Sequence, residues 1–136
     1  MERTHDTDGV VAGAPKTTLR LEGAAILAAS ILFYAEHGRS WLLFALLLLV
    51  PDVGMLGYVA NSRLGAMTYN VLHTIVGPAI LLVIGLLSDD GLLSAIAMIW
   101  LAHIGLDRAL GYGLKYGDAF GHTHLGSIGR PARPTT

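Results

Sequence analysis

The sequence predicts an all-α protein, a four-transmembrane-helix antiparallel bundle with both termini cytoplasmic. Three observations predict it. Of 136 residues, 53% are hydrophobic and 14% charged, where soluble domains carry about 25% charged residues; the mean hydropathy is +0.57. Four apolar stretches each approach the roughly 20 residues that cross a hydrocarbon core. The turns between them are so short that neighbouring helices must run up and down.

Residues 1–18 (MERTHDTDGVVAGAPKTT) are mixed, polar and aperiodic, and read as a disordered cytoplasmic tail. An apolar run behind such a leader is expected to be a retained helix rather than a cleaved signal. The transmembrane domain covers 19–112. Its first helix, about 19–35, is rich in small residues (GAAILAAS) that permit close packing and favour a homodimer. Glu36-His37-Gly38-Arg39 turns the chain. The second helix runs over about 40–60, with Trp41 as an interface anchor, and Asn61-Ser62-Arg63 is the next turn. The third covers about 64–87, and Ser88-Asp89-Asp90-Gly91 joins a helix stop to a new start. The fourth covers about 92–110. Residues 113–136, glycine-rich and polar, read as a flexible cytoplasmic tail.

This topology places Arg3, Lys16, Arg20, Arg63, Arg108, Lys115, Arg130 and Arg133 on one side and Arg39 alone on the other. The positive-inside rule makes the first side cytoplasmic. A net charge of −1 without a basic stripe argues against a nucleic-acid partner. The absence of cysteine excludes disulfides and thiolate metal sites.

The rare polar residues gather at one end. Antiparallel helices bring Glu22, Asp52, Asn70, His73, His103 and Asp107 to the same side of the bilayer, where ionisable groups are costly and mark functional sites. At 1.5 Å rise per residue, Asp52 and His73 both lie about 12 Å inside that face. Asn70, His73 and Gly77 follow an i, i+3, i+7 pattern, with Tyr69 four residues before His73; Trp100, His103 and Asp107 repeat the pattern. An i, i+4 His–Asp pair lets a carboxylate fix an imidazole's tautomer. Arg108 points about 100° away from Asp107, towards Glu22, Asp52 or the head groups. Pro51 and Pro78 remove the bonds to the carbonyls of Leu47 and Thr74 beside these residues, which membranes tolerate where protein or water lines a site. Asn70 alone fits interhelical glue, and Glu22 and Arg20 fit boundary residues, but two His with two Asp exceed what glue requires. His122-x-His124 reads as plain surface, as metal ligands, or as a cover over the pocket mouth.

The segments LRLEG (19–23), PDVGMLGY (51–58), YNVLHT (69–74), IWLAHIGLDRALGYGLKY (99–116) and THLG (123–126) resemble the DUF4260 family of small bacterial membrane proteins, over about residues 19–129. That family name records an unknown function. The resemblance implies an architecture, a multi-pass location in the bacterial inner (plasma) membrane, and motif positions at Glu22, Asp52, Tyr58, Asn70, His73, His103, Asp107, Arg108, Tyr112, Lys115 and His124. It implies no reaction.

The expected function is an intramembrane enzyme acting on a lipophilic small molecule by cofactor-free acid–base chemistry: cyclisation, isomerisation or hydrolysis. Burial favours uncharged forms, which suits Asp52 as acid and His103, held by Asp107, as base, with His73 beside them. Glu22, Tyr58, Asn70, Trp100, Arg108, Tyr112, Lys115 and His124 are the expected substrate-binding residues. A second reading gives the same His73, His103, Asp52 and Asp107 a divalent metal, Zn²⁺ or Fe²⁺, although HxxxH and HExxH spacings are absent. A third is non-enzymatic, a small transporter or a membrane assembly subunit; transporter-like repeated halves are not evident.

Overall fold

The computed structural model describes residues 9–37 and 39–128. Arg3, Arg130, Arg133 and Gly38, used in the sequence reading, lie outside the described residues. Helix α1 is Gly13–Glu36, α2 Trp41–Leu48, α3 Ser62–His73, α4 Val76–Leu87 and α5 Gly91–Leu110. A 3-10 segment, Val50–Val59, follows α2, and a small hairpin of β1 (His122–Thr123) and β2 (Gly126–Ser127) follows α5. These elements make four spans long and apolar enough to cross a membrane, 13–36, 41–59, 62–87 and 91–110.

α1 begins earlier than its apolar run. Pro15 is tolerated in a first turn, and the hydroxyls of Thr17 and Thr18 donate back to the carbonyls of Gly13 and Ala14 at 3.4 and 3.0 Å. The Val11 N–H also donates to the His124 carbonyl at 2.8 Å, so this stretch is folded rather than a tail.

The second and third spans are not continuous α-helices. Ser40 caps α2 by accepting from the Leu42 N–H. Pro51 then has no N–H for the Leu47 carbonyl, and the chain tightens so that the Asp52 N–H donates to Leu49 at 3.1 Å. A 3-10 run of ten residues is unusually long. α3 supports it at close range: a Cβ at Gly54 would lie 2.8 Å from the Thr68 carbonyl oxygen, and the Thr68 hydroxyl donates to the Gly54 carbonyl at 2.6 Å. The third span, capped by Asn61, breaks at Thr74, whose backbone is extended. Pro78 had already removed the partner of the Thr74 carbonyl.

α5 is the central element. Half of its hydrophobic window is buried, against 17% or less for each of the other spans. α1, α2 and α4 all pack on it. α1 crosses it where Gly23 meets Gly105; a Cβ on Gly105 would stand 2.7 Å from the Gly23 carbonyl oxygen. Tyr34, Ala95, Met98 and Ile99 form the core of one half. Leu42, Leu46, Leu56, Val83 and Leu87 are exposed, as lipid-facing side chains would be.

Past Gly111, which is left-handed (φ 93°) and stops α5, the chain folds back. The His124 N–H donates to the Leu114 carbonyl and the Tyr116 N–H to the His122 carbonyl. Thr123 and Leu125 are buried. Through Ile128 this segment is therefore an ordered cap, where the sequence suggested a flexible tail.

Candidate functional site

The two interruptions leave backbone carbonyls without helical partners, and side chains of α5 take them up. Trp100 Nε1 donates to the Leu72 carbonyl at 2.6 Å, and Arg108 Nη2 donates to the His73 carbonyl at 3.1 Å. In the second span, the 3-10 turn diverts the Asp52 N–H from Leu48 to Leu49. His73 Nδ1 lies 2.8 Å from the Tyr69 carbonyl. A carbonyl only accepts, so Nδ1 holds a proton and Nε2 is turned towards the other polar groups.

Four polar side chains converge there. His73 Nε2 and His103 Nε2 are 3.0 Å apart, each is 3.3 Å from Asp52 Oδ1, and each is 3.4 Å from Asp107 Oδ2. The four donor atoms lie within 4.8 Å of one another. The 3-10 segment, α3 and α5 each contribute. His73 and His103 are 2% and 3% exposed, Asp107 18% and Asp52 36%, so the cluster opens on the Asp52 side. Tyr69 stacks on the His73 ring at 3.7 Å, and its hydroxyl donates to Asp107 Oδ2 at 3.4 Å.

The donor set suits a divalent cation on two counts. Four donors about 2.0–2.1 Å from a tetrahedral centre stand about 3.3–3.4 Å apart; five of the six donor pairs here stand 3.0–3.4 Å apart, and all four atoms lie within 4.8 Å of one another. Two imidazole nitrogens with two carboxylate oxygens are also donor types that Zn²⁺ and Fe²⁺ accept.

Above the cluster the cap supplies a cation. Lys115 is 4% exposed, and its ammonium lies 3.3 Å from the centre of the Phe120 ring, 4.5 Å from Tyr69 and 5.3 Å from Tyr58. Asn70 clasps the backbone of Lys115 in both directions at 2.7 Å. Burial pushes the Lys115 pKa down to about 8, against the upward pull of Asp107 and Asp52. The His124 Nδ1 accepts from the Leu114 N–H at 2.9 Å; burial, then Arg108, holds its pKa below the usual histidine value. His122 pairs with Asp118 at 2.8 Å, and this hydrogen bond keeps the Asp118 carboxyl below its usual range.

Asp52, His73, His103 and Asp107 thus form one cluster, with Tyr58, Asn70, Trp100, Arg108, Lys115 and His124 around or above it. Arg108 reaches carbonyls rather than Glu22 or Asp52. Glu22 is exposed on α1, with no hydrogen bond or ion pair among the described residues. Tyr112 is 42% exposed and contributes its carbonyl to Arg108. Tyr69 and Phe120 were not on the expected list of site residues. The spacing of Tyr69 from His73 pointed to the first; Phe120 had no signal, because its segment read as a tail. On the other side of the cluster, Leu47, Pro51, Leu72, Ile96 and Trp100 help line an apolar cleft of about 230 Å³.

Residues 16–128 match the family described as a domain of unknown function (DUF4260). No curated protein matches the chain, and no solved structure does.

Proposed function

The chain belongs to the DUF4260 family, whose function is unknown, and from its own side chains we propose that it is a metal-dependent enzyme of the bacterial inner membrane acting on a lipophilic small molecule. The spans form an antiparallel bundle with both termini cytoplasmic, which the distribution of Lys and Arg supports. His73, His103, Asp52 and Asp107 hold one divalent ion, Zn²⁺ or Fe²⁺. The observation that carries this reading is the meeting of two imidazole nitrogens at 3.0 Å with a carboxylate oxygen on either side. The mixed His/Asp donor set, with five of its six donor pairs at 3.0–3.4 Å, favours the metal reading over metal-free acid–base catalysis.

A bound ion of this kind supplies Lewis acidity and a water that ionises near neutral pH, the ingredients of hydrolysis. Asp52, the most exposed ligand, faces the substrate side. Tyr69 steadies Asp107 and stacks on His73, and its carbonyl fixes the His73 imidazole, as outer partners of metal ligands do. The homodimer favoured by small-residue faces is not needed for this site.

Metal analysis of the full-length protein, purified in detergent after growth with added zinc, tests the reading. The expected result is about one divalent ion per chain, lost in His73→Ala and His103→Ala variants that still fold. A wild-type protein that retains none would overturn it.

A further inference from the structure

Among the described residues, two hydrogen-bond donors beside the cluster lack acceptors. The Tyr58 hydroxyl is buried with no hydrogen-bond partner among them. The Lys115 ammonium meets three aromatic rings, yet among the described residues it has no hydrogen bond or ion pair. An ammonium carries three donors and no acceptor, so aromatic faces leave its hydrogen-bonding capacity unused. Both groups border the Phe120 ring, Tyr58 edge-on at 5.0 Å and Lys115 over its face. Two unmatched donors in one corner, one of them charged, call for a ligand that only accepts and carries negative charge.

That corner is one aromatic ring from the metal ligands. Tyr69 lies under Lys115, stacks on His73 and bonds Asp107. The apolar cleft adjoins the same ligands from the opposite direction: Pro51 precedes Asp52, Leu72 precedes His73, and Trp100 lies one helical turn before His103. Along α5 the order is cleft, ligands, cap, which is the order of tail, linkage and head group in an amphiphile.

We propose that Lys115 and Tyr58 form an oxyanion subsite beside the His/Asp cluster, and that the substrate is an anionic amphiphile whose alkyl chain occupies the Leu47–Trp100 cleft. This rests on the metal-enzyme reading above for its chemistry, though not for its binding. The anionic group is a phosphate or carboxylate; the subsite reads its oxygens and charge, and the cleft reads the chain.

The test uses the zinc-treated full-length protein in an uncharged detergent, with dodecyl phosphate, dodecanol and inorganic phosphate as probes and native mass spectrometry as readout. Dodecyl phosphate should bind at least tenfold more tightly than either of the others, since a hydrogen-bonded charge is worth about that factor. Lys115→Met should lose about tenfold, Lys115→Arg should stay within about threefold, and Tyr58→Phe should lose several-fold. All should keep the wild-type metal content. Equal binding of dodecyl phosphate and dodecanol, or no loss in Lys115→Met, overturns the subsite. Equal binding of inorganic phosphate overturns the role of the chain. If Lys115→Met does not fold, Tyr58→Phe, which deletes one hydroxyl, decides the matter. Metal analysis reports separately on the reading beneath: a metal-free wild type that still captures dodecyl phosphate through Lys115 supports the subsite and removes the metal.

Discussion

The half of the bundle around Tyr34, Ala95, Met98 and Ile99 is made of unbroken α-helix, whereas the half around Asp52, His73 and His103 contains a 3-10 run, a broken span and a folded-back cap. The contrast follows from where polar partners exist. In the apolar half the Tyr34 hydroxyl already serves the Ser40 carbonyl at 2.7 Å, and the other core side chains, Ala95, Met98 and Ile99, donate nothing to a freed carbonyl, so a helix break there would leave it stranded in hydrocarbon. In the polar half the freed carbonyls of Leu72 and His73 are engaged by Trp100 and Arg108. The irregular backbone and the ligand cluster therefore depend on each other: the breaks orient the imidazoles, and α5 pays for the breaks.

Substitutions should separate the two halves. The largest contrast is between His103→Ala, which should abolish metal retention, and Ile99→Ala, which should cost about 2–5 kcal/mol of stability and leave the metal content intact. Thermal unfolding paired with metal analysis checks both. If Ile99→Ala also lost the metal in folded protein, the halves would not be separable. Next, Tyr69→Phe removes the hydroxyl donating to Asp107 and should weaken metal affinity about tenfold without altering helix content, measured by chelator competition. Trp100→Phe leaves the Leu72 carbonyl unpaired and should cost about 1–3 kcal/mol; a neutral result would mean that the broken span does not need α5.

The smallest effect concerns pH. The His124 pKa is lowered in the folded chain because its neutral ring, accepting from Leu114, is buried. The folded state therefore binds fewer protons there than the unfolded state. The stability this contributes is present above the ordinary histidine value of about 6.5 and is lost as pH falls through the lowered value. After correction for intrinsic exchange rates, the Leu114 amide should lose hydrogen-exchange protection at acidic pH, while amides of α5 near Ile99 should not. Equal behaviour of both sites would remove the cap's dependence on His124.

Hydropathy and turn length made the four spans legible, and depth plus i, i+3, i+4 spacing made Asp52, His73, His103 and Asp107 legible as candidates. Depth says nothing about which way a side chain faces. Glu22 sits at a suitable level, but its neighbour Gly23 meets α5, and adjacent helical residues point about 100° apart, so Glu22 faces outward. Pro51 marked the place where the second helix changes, yet the length of the 3-10 run depends on Gly54 and Gly57 meeting α3, a tertiary contact with no local pattern. The cap was missed for a related reason. Its glycines and polar residues carry no periodicity, and its order comes from long-range bonds such as Asn70 to Lys115 and Val11 to His124.

X-ray absorption at the zinc edge of the zinc-loaded protein tests the metal centre most directly. Two imidazole nitrogens and carboxylate oxygens at about 2.0–2.2 Å is the expected spectrum of the wild type, and a folded His73→Ala variant should show no such signal. A first shell of water oxygens without imidazole, or a spectrum unchanged by loss of His73, would contradict the assignment.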